Sequence, residues 1–215
     1  MLTLYTHNTP NGHKVTVALE ELGLDYMVER VNVHQGEQFA PDFVAKNANS
    51  KIPVLFDSET GVTIGESNAI LLYLAEKTGN LLPQDAMERA KAIELLFFQA
   101  AHIGPMFGQR AHFSLYAPET LPYAINRYEA ESARLEQVMD TLLTGDWFLS
   151  EYSIVDIAVF GWLHTSVSMG FDIAATPRLA AFYQRMLDRP AVQKGITVPD
   201  VLPSFAPRKT LEAAE

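Results

Sequence analysis

The 215-residue sequence carries 16 basic and 26 acidic residues, for a formal net charge of -10, and 48% of it is hydrophobic. This length and composition fit one large or two modest globular domains with a substantial core. The acidic surface repels phosphate backbones and anionic lipids, so we expect neither a nucleic acid nor a membrane as a partner. The absence of cysteine excludes disulfides, cysteine-ligated zinc and a cysteine nucleophile.

The first eighty residues predict a small α/β unit. Its elements, in chain order, are a strand at 2–5, a helix at 15–22, a strand at 26–33, a short helix at 39–45, strands at 52–56 and 62–64, and a helix at 69–75 opened by Glu66-Ser67. The first strand–helix–strand favours a parallel pair with a right-handed crossover. The later two strands, separated by a short turn, favour a hairpin.

Strand signals nearly vanish beyond a linker at 81–85. The remaining predicted elements are a helix at 86–103 interrupted by Gly104-Pro105, a helix at 122–143, a helix from a Ser153–Asp156 capping box to about Val167, and a helix from Thr176-Pro177 to Arg189-Pro190. We therefore predict one domain at 1–80, a second, helical domain at 86–200 and a tail at 201–215. The first residues lack a basic region followed by a long apolar run, which favours a cytoplasmic protein.

Three motifs occur in this order along the chain. They are Lys51-Ile52-Pro53-Val54-Leu55, Gly65-Glu66-Ser67-Asn68-Ala69-Ile70 and Tyr152-Ser153-Ile154-Val155-Asp156-Ile157-Ala158. Together with the element order, they resemble the soluble glutathione transferases up to about Gln193. The resemblance implies an α/β plus all-α fold, in which an N-terminal thioredoxin-like domain (βαβαββα) is followed by an all-helical domain.

Four further segments are similar to the bacterial nu-class and Ure2-like branch of that family. They are Thr9-Pro10-Asn11-Gly12, Gly36-Glu37-Gln38-Phe39, Gly104-Pro105-Met106-Phe107-Gly108-Gln109 and Ile125-Asn126-Arg127-Tyr128. This resemblance implies that the protein binds two glutathione molecules or one glutathione disulfide. It also implies disulfide-bond reductase activity and a homodimer.

The segment from Thr9 to Gly12 predicts the open end of a helix. Thr9 is suited to cap the helix, Pro10 to occupy its first turn, and Gly12 to let a ligand approach the backbone closely. A thiol supplied by glutathione would there meet the Thr9 hydroxyl and the Asn11 backbone N–H, which favour the thiolate form. These two residues are the candidate catalytic groups. In the alternative interpretation, Thr9-Pro10 is only a helix cap.

Glu66 and Ser67 lie where a strand ends and a helix begins, a position that favours an anion. The resemblance implies that Ser67 holds the glutamyl carboxylate of glutathione and that Glu66 takes its ammonium group. It also implies that Ile52, ahead of a cis Pro53, pairs with the cysteinyl backbone. The alternatives are a Ser67 that only caps a helix and a core Ile52 before a trans proline.

Two further binding residues are proposed on the same basis. Gln38 suits the glycyl end of glutathione, and the Arg127 guanidinium suits a carboxylate of the second glutathione. Their alternatives are an exposed loop glutamine and a solvated helix residue. The histidines His7, His13 and His34 lack metal-site spacing on one helix face, so we expect no metal.

Two residues of the same region are predicted to lie outside the site. Lys14, in the first turn of a helix, is expected to be solvated. Trp162 is expected to belong to the core.

The function predicted from these residues is a glutathione-dependent disulfide-bond reductase that uses the bound glutathione thiolate as its nucleophile. Its partners would be glutathione and a small disulfide or electrophile. One alternative is a conventional glutathione S-transferase that conjugates glutathione to electrophiles, because the same thiolate serves both reactions. A second alternative is a non-catalytic glutathione-binding or regulatory protein, because a fold does not fix a function.

Overall fold

A four-stranded sheet forms the centre of the N-terminal part in the computed structural model, which describes residues 1–200. Its strands are β1 (Leu2–Thr6), β2 (Tyr26–Arg30), β3 (Val54–Asp57) and β4 (Val62–Ile64), in the order β2-β1-β3-β4. β1 and β2 are parallel, whereas β3 is antiparallel to both β1 and β4, so the predicted crossover and hairpin are confirmed. β2 ends at Arg30 rather than at residue 33, and β3 begins only after Pro53, which has no N–H for the ladder.

Three helices accompany this sheet. They are α1 (Pro10–Glu21), α2 (Pro41–Val44) and α3 (Ser67–Thr78). The short helix predicted at 39–45 is present but shorter: α2 begins at Pro41, and a separate 3-10 turn at Glu37–Phe39 precedes it. Proline favours the first turn of a helix because its missing N–H has no intrahelical partner there.

Six helices follow. They are α4 (Ala86–Phe98), α5 (Gly104–Ala111), α6 (Pro122–Leu142), α7 (Ile154–Ser168), α8 (Pro177–Leu187) and α9 (Pro190–Gly195). The interruption predicted at Gly104-Pro105 is wrong, because a π turn at Gln99–Ile103 carries the chain from α4 into α5. Proline has no N–H to donate and crowds the preceding turn of a helix, and a wider π turn relieves this crowding without ending the helix. α9 was missed, since Pro190 begins a helix there instead of only ending one.

The capping box predicted before α7 is confirmed. The Ser153 side chain and the Asp156 side chain each bond to the backbone of the other residue, so two N–H groups at the start of the helix are satisfied. Asp156 also accepts from Phe148 N at 3.0 Å, which ties the preceding loop to the helix. By contrast, the side chain of Thr176 makes no capping bond to α8. Asp140 of α6 accepts from two backbone N–H groups of α8 instead.

One hydrophobic cluster runs through both parts of the chain, from the sheet and α1 to α7, α8 and α9. The cluster places α1 at the centre of the molecule, where it packs against α3, α7 and α9. Glycines allow these close approaches: a Cβ at Gly161 of α7 would lie 2.7 Å from the Pro10 carbonyl oxygen. The domain boundary predicted at 81–85 falls between α3 and α4 and stays a prediction. The predicted tail lies outside the described residues.

No helix within residues 1–200 is long and apolar enough to cross a membrane.

Candidate active site

The N-terminal ends of α1 and α3 open into one cavity of about 440 Å³. Asn11, Glu66 and Ser67, three of the predicted site residues, line this cavity. The other lining residues are Lys14, Asn68, Gln99, Ala100, Gly104, Pro105, Gly108, Gln109 and Trp162. The cavity therefore lies between the α/β part and the helical part of the chain.

Thr9 is the N-cap of α1, with an extended backbone at φ -147°, and its hydroxyl accepts from Gly12 N at 3.1 Å. A hydroxyl that accepts one bond keeps its own hydrogen for donation. Asn11 occupies the second helical position, where an α-helix leaves the N–H without an intrahelical acceptor. Thus the open end of α1 offers the two donors that the sequence predicted.

The role predicted for Gly12 is wrong. A Cβ at this position would collide with the His7 carbonyl oxygen and lie 2.6 Å from Thr6 Oγ1. Gly12 therefore lets α1 approach the end of β1, and its bare face does not lie open to a ligand.

Glu66 and Ser67 are held by an unusual backbone turn. Glu66 has φ 59° and ψ 110°, a sparsely populated conformation for a residue other than glycine. Ser67 is the first residue of α3 and not its cap, and its hydroxyl bonds to side chains of α1 instead. The alternative interpretation of Ser67 as a simple N-cap is therefore wrong.

Lys14 is the largest departure from the sequence analysis. It was expected to be solvated, yet only 2% of it is exposed. Its ammonium donates to Gln99 Oε1 at 2.6 Å, to Asn68 Oδ1 at 3.1 Å and to Ser67 Oγ at 3.2 Å. Periodicity along α1 cannot reveal this burial, because α3 and α7 cover the face on which Lys14 lies.

Burial also changes the acidity of Lys14. Desolvation disfavours the charged ammonium and lowers its pKa to about 7, while the negative charge of Glu66 acts in the opposite direction. Lys14 therefore changes its charge near neutral pH, unlike an exposed lysine.

Asn11 contributes its side chain to the site as well as its backbone N–H. Its Oδ1 accepts from Trp162 Nε1 at 2.9 Å and from Ser67 Oγ at 3.3 Å. Trp162 is partly buried and packs against the core, as predicted, but it also lines the cavity, where its indole N–H donates to Asn11. This contact joins residues 151 positions apart, which no local pattern could have indicated.

Ile52 and Gln38 lie at the sheet side of the molecule and do not line the cavity. The Ile52–Pro53 bond is cis, as the resemblance implied, and Ile52 packs in a small cluster with Val31, Phe43 and Val54. Gln38 lies in the 3-10 turn before α2, and its buried Oε1 has no hydrogen-bond partner within residues 1–200.

Arg127 is not brought together with the other predicted residues. It is exposed on α6 and lines a neighbouring concavity of about 730 Å³ together with Met106. Pro105, which precedes Met106, lines the first cavity, so the two concavities lie side by side along α5.

Two of the three histidines considered for a metal site, His7 and His13, are buried. Desolvation lowers the pKa of His13 to about 4, with a smaller contribution from His164. His7 lies beside His34, with ring centroids 5.5 Å apart. Within residues 1–200, no group of three histidine, aspartate or glutamate side chains is arranged to hold a metal ion.

Comparison with known proteins places this site in a family. Residues 1–76 match the model of the glutathione S-transferase N-terminal domain. The chain is 41% identical over 203 residues to the disulfide-bond oxidoreductase YfcG of Escherichia coli strain K12, an alignment that covers 91% of this chain and 94% of YfcG. The chain belongs to the glutathione transferase family.

Solved relatives of this glutathione transferase hold the predicted ligand. A Pseudomonas putida glutathione transferase, solved with one glutathione disulfide per subunit, has 40% identity and a TM-score of 0.88, with 92% of this chain and 91% of that one covered. A Burkholderia graminis relative, solved with two glutathione molecules per subunit, has the same identity and TM-score, with 92% and 88% covered. The predicted family, branch and fold are confirmed.

Proposed function

We propose that this glutathione transferase is a glutathione-dependent disulfide-bond reductase. One observation carries the proposal: the open end of α1 offers a hydroxyl from Thr9 and the Asn11 N–H, while the chain contains no cysteine. The nucleophilic sulfur must then come from glutathione. The disulfide-bond oxidoreductase YfcG, which is 41% identical, supports this choice of reaction.

Thr9 and the Asn11 N–H each donate a hydrogen bond to the glutathione sulfur, and the positive end of the α1 dipole adds to their effect. These interactions favour the thiolate over the thiol and lower the pKa of the bound glutathione. The thiolate then attacks one sulfur of the substrate disulfide, forms a mixed disulfide and releases the other sulfur as a thiolate. A second glutathione thiolate attacks the glutathione sulfur of the mixed disulfide, which yields glutathione disulfide and the second thiol product.

The remaining predicted residues hold the peptide. Ser67 and its neighbouring N–H bind the glutamyl carboxylate, and the exposed carboxylate of Glu66 pairs with the ammonium group. The N–H and C=O of Ile52 pair with the cysteinyl backbone, and Gln38 reaches the glycyl end. Arg127, in the neighbouring concavity, binds a carboxylate of the second glutathione.

A second candidate function is conjugation of glutathione to an apolar electrophile. It is favoured by a smaller cavity of about 180 Å³ beside the start of α1. Its walls are mainly apolar and aromatic, and include Pro10, Phe107, Tyr116, Trp162 and Phe171.

Steady-state turnover distinguishes the two reactions. We expect the purified protein, supplied with glutathione, to reduce a small model disulfide much faster than it conjugates a chlorinated aromatic compound. Efficient conjugation without disulfide reduction would replace the proposal with the second candidate. Binding of glutathione without either reaction would favour a non-catalytic role.

We also propose that the protein is a cytoplasmic homodimer. The homodimer is what the resemblance to the family implies, and Phe97 on α4 and Tyr123 on α6, which are 70% and 79% exposed, are available to such an interface. A reducing compartment that contains glutathione suits the proposed reaction. Light scattering should give about twice the 23.9 kDa mass of one chain.

A further inference from the structure

Lys14 joins three elements of the structure at one buried point. An ammonium group has three hydrogens and no acceptor, and here all three are used. The acceptors come from both parts of the chain: Ser67 and Asn68 of α3, and Gln99 of the π turn after α4. Asn68 is fixed in turn by bonds from its Nδ2 to Leu96 O at 2.8 Å and to Gln99 Oε1 at 2.9 Å.

This arrangement decides which way the Ser67 hydroxyl points. Because Ser67 Oγ accepts from Lys14, its own hydrogen is directed elsewhere, towards Asn11 Oδ1 at 3.3 Å. That acceptor already receives the shorter bond from Trp162 at 2.9 Å. The long bond to Asn11 is easily exchanged for a stronger one to an anion that enters the cavity.

We propose that Lys14 is a positioning residue for glutathione, which orients the Ser67 hydroxyl as a donor and places a positive charge behind it for the incoming carboxylate. The proposal rests on the glutathione binding proposed above and extends it to a residue that does not touch the ligand. A purely structural Lys14 would link α1, α3 and the π turn without any effect of its charge on the ligand.

The surroundings of Lys14 make its charge responsive to a ligand. The turn before α3 contributes the negative charge of Glu66, whereas His13 on α1 and His164 on α7 have pKa values lowered by burial and are neutral at pH 7. On α9, Lys194 is paired with Glu20 at 2.7 Å. Because burial lowers the pKa of Lys14 to about 7, a carboxylate bound nearby should raise this pKa and draw a proton into the site.

Calorimetric titration of the wild-type protein measures this proton directly. The probe is S-methylglutathione, which has the glutamyl carboxylate but no ionisable thiol. Titrations in buffers of different ionisation enthalpy should show uptake approaching one proton per site at pH 8, where free Lys14 is mostly neutral. At pH 6, where Lys14 is already charged, uptake should be close to zero. Binding without greater uptake at pH 8 than at pH 6, together with an unchanged affinity of Lys14→Met, would overturn the proposal.

Two substitutions separate the charge from the hydrogen bond. Lys14→Met removes both and should weaken binding of S-methylglutathione roughly ten- to hundredfold, the range expected if the Ser67 hydroxyl loses its bond to the charged carboxylate. Lys14→Gln keeps a donor and should weaken binding less, but it too should abolish the extra proton uptake at pH 8. The matched control is Lys91→Met on the surface of α4, where the lysine pairs only with Glu94 within residues 1–200.

The outcomes separate this inference from the proposed function. If the wild-type protein does not bind S-methylglutathione, the proposed function fails first. If it binds without extra uptake at pH 8, and Lys14→Met binds equally well, only the role of Lys14 fails. Should Lys14→Met not fold, the wild-type titrations and Lys14→Gln still decide, because a merely structural lysine would change the melting temperature without any proton uptake on binding.

Discussion

The hydroxyl of Thr9 has two proposed roles: it caps α1, and it donates a hydrogen bond to the glutathione sulfur. A substitution can separate these roles. Thr9→Val keeps the shape of the side chain and removes the donor. We expect the pKa of bound glutathione to rise, because one hydrogen bond to the thiolate is lost. The reductase rate should therefore fall most near neutral pH and recover in part at higher pH. A pH–rate profile of both proteins measures this difference.

Thr9→Ser is the matched control, since it restores the hydroxyl and should restore most of the profile. The loss of the Gly12 bond in Thr9→Val costs about 1 kcal/mol of stability, so the melting temperature must be followed as well. If the profiles of wild type and Thr9→Val were superimposable, Thr9 would be a helix cap and nothing more.

The Ser67 hydroxyl bonds to Lys14 and Asn11 and is proposed to bind the glutamyl carboxylate as well. Ser67→Ala should weaken glutathione binding by roughly 1 to 3 kcal/mol, the range for a hydrogen bond to a charged group. Since Ser67 does not cap α3, the loss of stability should come from its bonds to Lys14 and Asn11 and amount to about 1 to 3 kcal/mol. Calorimetry of binding and of unfolding, with the exposed Ser150→Ala as control, measures both quantities.

An unchanged affinity together with a large fall in the melting temperature would assign Ser67 to the support of the fold alone.

At the scale of elements, the contact of α1 with α7 sets the position of the open helix end. In Gly161→Ala the new methyl group would lie 2.7 Å from the Pro10 carbonyl oxygen and 2.8 Å from Lys14 Cγ. α7 must shift relative to α1, because the Pro10 carbonyl is part of the backbone and cannot move aside by a side-chain rotation. We expect a loss of about 1 to 3 kcal/mol in unfolding free energy, the usual range for overpacking. Denaturant unfolding and glutathione titration should both register the change.

Gly145→Ala is the control for this element, since an added Cβ there has no neighbour within 4 Å among the described residues. Its stability and its affinity should stay close to wild type. An equal response of the two variants would mean that the α1–α7 contact does not hold the site.

At the scale of the whole molecule, one hydrophobic cluster is shared by the two parts, so we expect them to unfold together. A polar link reinforces this cluster: Glu21 of α1 accepts from Arg189 Nε at 2.6 Å and from the Tyr152 hydroxyl at 3.1 Å. The titration of a buried group whose pKa differs between the folded and unfolded states should therefore change the stability of the entire described chain.

His13 is expected to lower the free energy of unfolding at acidic pH. Burial lowers its pKa from 6.5 to about 4, so the folded protein keeps His13 neutral while the unfolded chain binds a proton below pH 6.5. Acidification from pH 6.5 to 4 should thus favour unfolding, by up to about 3 kcal/mol from this residue. Denaturant unfolding as a function of pH measures the slope, and His13→Gln should reduce it. A slope that is the same in both proteins would exclude His13 as its source.

Local patterns in the sequence were sufficient for most elements. Alternation predicted the strands, apolar periodicity predicted α1, and the Ser153–Asp156 capping box predicted the start of α7, because each signal depends on neighbouring residues. The patterns failed at two prolines whose effect on a helix is ambiguous, Pro105 after the π turn and Pro190 at the start of α9. Proline stops a helix that precedes it and also favours the first turn of a helix that follows.

The sequence by itself determined that the nucleophile is not a protein thiol, and its ordered motifs identified the family. Only the tertiary structure decided the surroundings of the site: that Lys14 is buried, that Trp162 bonds to Asn11, and that Gly12 serves packing. The first two depend on which element covers a given face of α1, and the covering residues lie far along the chain. The packing of Gly12 against Thr6 and His7 depends instead on how closely α1 approaches the end of β1. The pattern of residues within one helix shows the periodicity of that helix but not which elements pack against it. The burial of the Lys14 ammonium next to Ser67 therefore became visible only with the positions of α3, α7 and the π turn around α1.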